Sequence, residues 1–579
     1  MPKVFYLLFI IILFSSGLQA QMQRALVQED FTIKIEQTTI PDFIISRENI
    51  FSQLPGFPKV TTAHSAFKNF RNATLADLTG DGTEEILLAT NRTLFAYKND
   101  TLLWSKPLTG AATYPPSVAD MNNDGLPEIV QLTGGTNESG RLYVFDKTGQ
   151  DLPNFPLNFN NNWMLLAPAL ADVNNDGAWE IIACERVAPA GRIHIIKLNG
   201  QSYNQFFPYT LDRTPAVTPS VGDLDGDGEM EIIVASTESL YILNLNGQIK
   251  KQITNPNGQR YSYQSPIIID LDQDGKKEIV GATHGNMPQF FVLQHDGSFR
   301  NGWPIPVPNG NWTFSTPSVV KFGEYDAIMM SRPIGLNAGD VIFGWDKDAN
   351  SLEGFPIMES GGQEGIISVA DVDDDGKMEL IFGSNLLGSD GYGFIHAYNL
   401  DETGQVEGFP LRPRGWTLMN GANVGDINGD GMMDLVVISY TQGTSDTDST
   451  YLNVYNLNVP YSPDRVLWNT YKGNNTRNGL IQTEQTTAVK RPDLLTLQIA
   501  LQQNPVQDNA LINLRLLQNE NIRIILYNNA GKLVKSIFTG NLSTGKHDIS
   551  FTVADLPKGI YWLKASTDIH IKSVPFVKM

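Results

Sequence analysis

The chain has 579 residues, of which 41% are hydrophobic, 10% aromatic and 18% charged, which excludes a disordered chain and allows sizeable cores in roughly two to four domains. Its 51 glycines and 32 prolines call for many tight turns, and so for many short strands. A formal net charge of −20 excludes nucleic acid as a partner, since phosphate binding needs a basic surface, and suits a protein that holds cations.

Residues 1–20 read as a secretory signal peptide: Lys3 is followed by an uncharged apolar run from Val4 to Phe14 and by small residues ending at Ala20. Eleven apolar residues are too few to span a bilayer, so the mature chain is expected to be secreted and soluble. Residues 21–50 form a separate N-terminal segment.

Residues 51–480 repeat one unit eight times. Its mark is an acidic loop, Asp-x-Asp/Asn-x-Asp-Gly-x-x-Glu/Asp. Seven copies start at Asp77, Asp120, Asp172, Asp223, Asp270, Asp371 and Asp426, spaced by 43, 52, 51, 47, 101 and 55 residues. The double interval hides a unit near 321, where Thr316-Pro317-Ser318-Val319 keeps the strand and Lys321 to Asp326 has lost the loop. Each unit predicts four strands. One precedes the loop, one follows it, and a third is aromatic and β-branched. The fourth opens near Phe155-Pro156, Phe207-Pro208, Trp303-Pro304, Phe355-Pro356 or Phe409-Pro410. Four strands in about 50 residues is the spacing of a propeller blade. Leu54-Pro55-Gly56-Phe57-Pro58 carries the fourth-strand mark ahead of the first loop and is expected to complete the last blade. The sequence thus predicts an all-β chain with an eight-bladed β-propeller, or a seven-bladed one with a unit expelled. The lone cysteine, Cys184, lies in the apolar run Ile181-Ile182-Ala183-Cys184 and reads as a buried small hydrophobe, not a disulfide partner.

The loops place oxygen side chains at positions 1, 3, 5 and 9, a carbonyl at 7 and a turn-forming glycine at 6, which is what a hard cation such as Ca²⁺ takes. The candidate ligands are Asp77, Asp81 and Glu85; Asp120, Asn122, Asp124 and Glu128; Asp172, Asn174, Asp176 and Glu180; and Asp223, Asp225, Asp227 and Glu231. The later loops add Asp270, Asp272, Asp274 and Glu278; Asp371, Asp373, Asp375 and Glu379; and Asp426, Asn428, Asp430 and Asp434. Thr79 at position 3 makes the first loop the poorest site. These loops resemble the FG-GAP repeats of integrin-α-like propellers. The resemblance implies about seven structural Ca²⁺ ions on one rim, which would offset most of the negative charge.

On the geometry that this resemblance implies, the opposite face is expected to carry Trp163, Trp312 and Trp416, which stand in like register, with Tyr114, Tyr261, Tyr263, Arg213 and His284 nearby. They read either as a platform for glycan or protein ligands, or as packing that plugs the channel. A secreted binding or adhesion module follows. The alternatives are a β-eliminating polysaccharide lyase using His284 as base, and a ligand-free display scaffold. His194 and His396 lie in third strands and read as packing residues.

Residues 481–493 read as a linker. Residues 494–579 carry nine Lys/Arg against five Asp/Glu, whereas the mature chain before them carries 32 against 57, which marks a separate module. Its strands predict a small Ig-like β-sandwich. Gln503-Asn504-Pro505-Val506, the stretch from Leu526 to Val534, Leu556-Pro557-Lys558-Gly559-Ile560-Tyr561-Trp562-Leu563 and the closing Lys572 to Lys578 resemble the C-terminal sorting domain of the type IX secretion system of Bacteroidota. That resemblance implies the secretion machinery as a partner and the cell surface or medium as destination. The protein is expected to be a monomer.

Overall fold

The computed structural model describes residues 21–27 and 33–39, then 51–481 and 497–579 apart from short internal gaps, the longest at 308–314 and 332–338. The signal peptide, most of the linker, Gln503-Asn504-Pro505, and residues 529–532 of the sorting motif lie outside the described residues. The chain forms two compact units, 1–486 and 487–579. Both are all-β, and no α-helix occurs among the described residues.

The first unit holds eight small sheets of four or five strands, one per sequence repeat. The fourth shows the plan: Ser220–Gly222, Glu231–Ala235, Ser239–Asn244 and Ile249–Thr254 pair antiparallel in chain order. The first two strands flank the acidic loop and are fully buried, so they read as continuous apolar runs. The fourth strand lies at the rim and alternates only weakly. The degenerate sixth unit keeps this plan, with Ser318–Phe322 and Tyr325–Ser331 paired directly across the shortened loop. In the eighth sheet the last strand is Lys59–Thr62, which pairs with Ser449–Pro460. The first residues of the repeat region therefore finish its last sheet.

Consecutive first strands are tied by side chains. The Thr74 hydroxyl donates to Pro116 O at 2.8 Å, Ser117 to Pro168 O at 2.6 Å and Ser220 to Pro266 O at 2.6 Å. Ser318 donates to Ile367 O at 2.7 Å and Ser368 to Ala422 O at 2.5 Å. Asn423 joins the eighth sheet to the first by accepting from the Ala73 amide at 3.3 Å.

Residues 466–481 run along these inner strands. Val118, Leu170, Val221 and Ile268 donate their amides to Asn475, Thr476, Asn478 and Gly479 carbonyls at 2.8–2.9 Å. Asn475 donates to Leu75 O at 2.6 Å, Asn423 donates to Asn469 O at 2.6 Å, and Trp468 pairs with Val369. One segment thus meets seven of the eight sheets. Its Lys472 is 1% exposed and donates to Thr218 O, Pro219 O and Ser220 Oγ at 2.6–3.2 Å.

The N-terminal segment contributes a hairpin, Gln21–Val27 with Ile33–Thr39, whose first strand pairs with Leu386–Leu387 of the seventh unit. In the second unit, residues 497–501, 509–516 and 545–552 form one sheet and residues 520–528, 533–542, 559–566 and 571–578 another. Ile512, Leu514, Ile522, Ile524, Leu563 and Phe576 from both sheets share one core.

Candidate metal centres

All seven acidic loops fold alike. The position 1 aspartate accepts the amide of the position 6 glycine at 2.8–3.0 Å in six of them. The position 5 aspartate accepts the amide of residue 7 at 2.7–3.1 Å in all seven. The position 9 carboxylate accepts the amide of residue 2 at 2.7–3.3 Å, again in all seven. Positions 4 and 6 take positive φ in every loop. That explains glycine at 6 and Gly, Asn or Asp at 4, with Gln273 the exception.

These bonds use one oxygen of each position 9 carboxylate and leave the other turned toward positions 1 and 3. Asp223, Asp225 and Glu231 each bring one oxygen within 4.8 Å of the others, as do Asp270, Asp272 and Glu278, and Asp371, Asp373 and Glu379. In the seventh unit's loop, Asp371 is 3% exposed and Glu379 fully buried, yet Asp371 Oδ1 and Glu379 Oε1 have no hydrogen-bond partner. Asp434 Oδ1 in the eighth is in the same state. Buried carboxylate oxygens without donors are costly, and a divalent ion supplies what they lack. The residues present fit such an ion. Burial, compounded by neighbouring carboxylates, pushes Glu379 up to about 9, Asp434 and Glu180 up to about 7 and Asp371 up to about 6.

Other loops contain a cation of their own. Arg300 Nη1 lies 2.8 Å from Asp272 and 2.9 Å from Glu278. Lys250 bridges Asp225, at 3.0 Å, and Glu231. Lys98 bonds Asp81 and lies 3.3 Å from Glu85. The loop motif gives no sign of these three, because each comes from later in its unit, Lys98 and Lys250 from strands and Arg300 from the connection after the third strand.

Of the two readings of the aromatic positions, platform or packing, the described residues are mostly packed. Trp163 and Trp416 do share a register, each bridging the residue at the end of its second strand, Arg186 and Tyr440. But Trp416 and Tyr114 are 2% and 3% exposed. Both belong to one core with Phe67, Phe70, Tyr471 and, from the N-terminal hairpin, Ala25 and Val27, with Ile33, Ile35 and Trp163 packed against it, and Tyr114 meets the rings of Phe70 and Tyr471. Trp163 is half-buried, edge-on to Phe67 and 4.3 Å from the Arg186 guanidinium. Tyr261 is also core. Arg213 is exposed and pairs with Glu238 at 3.0 Å. His284 is 1% exposed, on a two-residue strand paired with Gln259–Arg260, so a solvent-borne substrate does not reach it. Trp312 and Tyr263 lie outside the described residues. His194 bonds Glu185 at 2.8 Å, and buried His396 stacks on Phe382. Cys184 is buried, its thiol pushed up to about 12.

A family model described as FG-GAP-like repeat matches residues 120–183, 223–280 and 371–437, taking in six of the seven loops. A second, described as secretion system C-terminal sorting domain, matches residues 504–577. The chain therefore carries FG-GAP-like repeats followed by a type IX sorting domain. That domain directs export through the type IX machinery to the cell surface or the extracellular space. No helix among the described residues is long and apolar enough to cross a membrane. No curated protein matches the chain. Among solved structures, the biofilm matrix protein Bap1 of V. cholerae is 16% identical at TM-score 0.49, covering 75% of this chain and 95% of that one. The Neurospora crassa Pan2 WD40 domain is 12% identical at TM-score 0.30, covering 68% and 91%. PorZ, a surface component of the type IX secretion system of Porphyromonas gingivalis, is 9% identical at TM-score 0.24, covering 96% and 91%.

Proposed function

We propose that this chain is a calcium-stabilised, eight-bladed β-propeller, exported to the cell surface, that binds neutral glycan chains. The Ig-like sandwich at its C-terminus serves export. Eight sheets in series, with Lys59–Thr62 completing the last, support the blade count. Partnerless buried carboxylate oxygens in the loops support the metal.

One observation carries the glycan reading. A cleft of about 390 Å³ opens between the acidic loops of the third and fourth units, lined by Tyr203, Asn175, Asn204, Asn246, Met230 and Glu229. Its volume lies in the range of small-molecule sites. Side-chain amides offer paired donors and acceptors that match vicinal hydroxyls, and a phenol ring offers a flat apolar face for sugar C–H groups. Asn174, at position 3 of the third loop, forms part of the wall, so the cleft and that metal centre share a residue. Binding is therefore expected to depend on calcium. The test is a neutral-oligosaccharide array probed with the secreted protein, with calcium and with chelator. The expected result is binding that chelator abolishes and Tyr203→Ala weakens at least tenfold. Binding unchanged by Tyr203→Ala would move the ligand elsewhere, and no binding at all would leave a scaffold.

A further inference from the structure

The seven loops are not seven equivalent calcium sites. We propose that the chain neutralises three of them itself, through Lys98, Lys250 and Arg300, and leaves the second, third, seventh-unit and eighth-unit loops to metal. The proposal rests on the calcium reading above and makes it quantitative: four ions, not seven.

Arg300 is the clearest case. Its side chain is 10% exposed, one nitrogen bridges Asp272 and Glu278, and Nε donates to Lys347 O at 3.1 Å, which fixes the guanidinium in place. It thus sits between the position 3 and position 9 oxygens that a metal would join. A second cation there would face a fixed positive charge at contact distance.

The pairing register shows that this is a substitution within the repeat. The Arg300 amide donates to Val292 O. The matching amides belong to Leu152, bonded to Val144 O, Tyr203, bonded to Ile195 O, and Val406, bonded to Ala397 O. In the second, third and seventh units the position that holds arginine in the fifth is therefore leucine, tyrosine and valine, none of which carries charge. The fourth unit places Lys250 on its fourth strand, where its ammonium reaches Asp225, Asp227 and Glu231. The first unit uses Lys98, at the end of its third strand, against Asp81 and Glu85. The seventh unit's loop has Arg465 at its outer edge, 3.8 Å from Asp371 and bonded to Asp374, but Glu379 Oε1 keeps no partner. Among the described residues no lysine or arginine forms an ion pair with the loop of the second, third or eighth unit.

The test counts ions. Native mass spectrometry of the secreted protein, exchanged into calcium, is expected to show four tightly held ions per chain. Arg300→Leu and Lys250→Leu each raise the count by one. Leu152→Arg, which copies the fifth unit's device into the second, lowers it by one and covers the case in which Arg300→Leu does not fold. A wild-type count of seven, or a count that these substitutions leave unchanged, overturns the sorting of loops while leaving the calcium reading intact. A count of zero overturns both.

Discussion

The carboxylates at position 9 carry a pH-dependence whose sign follows from their burial. Without metal, Glu379 is pushed up to about 9 and Asp434 and Glu180 up to about 7, from ordinary values of 4.5, 3.8 and 4.5. A carboxyl with a raised folded-state value binds protons more readily folded than unfolded. Its contribution to stability is whole below about pH 4 and is lost as pH rises through its folded value. Calcium reverses the slope, because it binds the ionised form and its occupancy grows with pH. In chelator the melting temperature is expected to be higher at pH 5 than at pH 8, and in calcium higher at pH 8. Parallel melts in both buffers check this, and identical slopes would show that the loops hold no metal. The loop residues were legible because oxygen ligands, a left-handed turn and the anchoring position 9 acid fall within nine consecutive residues. Arg300 was not, because it meets Glu278 from 22 residues away, through a strand register that no local pattern reveals. For Trp416 and Tyr114 the sequence leaves rim and packing open, because the core that takes them in draws on Phe70, Tyr471 and the distant Ala25 and Val27.

At the level of elements, the first strands are too short to hold the sheets in order by backbone pairing with one another. Six unit-to-unit joints instead use a hydroxyl or amide near the start of a first strand. Ser117 is fully buried, and its hydroxyl donates to Pro168 O. Ser117→Ala removes the donor and leaves that carbonyl buried without a partner, which costs about 1–2 kcal/mol. The exposed Thr148→Ala, in the turn after the second unit's third strand, is expected to cost about a third of that or less. Chemical denaturation of the two variants gives the comparison, and equal losses would count against the joint. A serine after proline supplies three of these hydroxyls, Ser117, Ser220 and Ser318, and the sequence shows these residues as part of the strand before the loop. Their role is not legible there, since a carbonyl about 45 residues downstream is a partner that only the arrangement of sheets supplies.

For the whole molecule, eight sheets whose inner edges face one another leave a row of backbone amides that must be satisfied without bulk water. The sequence solves this with residues 466–481, which follow the last repeat and return along the inner strands, offering carbonyls to Val118, Leu170, Val221 and Ile268 in turn. In the sequence this stretch falls at the end of the repeat region 51–480, but it is polar and aromatic with no strand periodicity, so its part in closing the inner strands is not legible there. Its buried Lys472 and Arg477 become intelligible only against the carbonyls and hydroxyls they meet: Lys472 with Thr218 and Pro219, Arg477 with Thr470, Tyr471 and Thr74. The segment belongs to the repeat unit's fold and not to the sorting domain, which has its own core. A chain ending at residue 486 is therefore expected to keep the melting temperature of the first unit in the full protein. A chain ending at residue 465 loses Trp468, Tyr471, Lys472, Arg477 and every amide acceptor just named, and is expected to lose its cooperative transition. Differential scanning calorimetry of the two truncations decides the point: if both melt alike, water satisfies the inner strands and the segment is not what closes them.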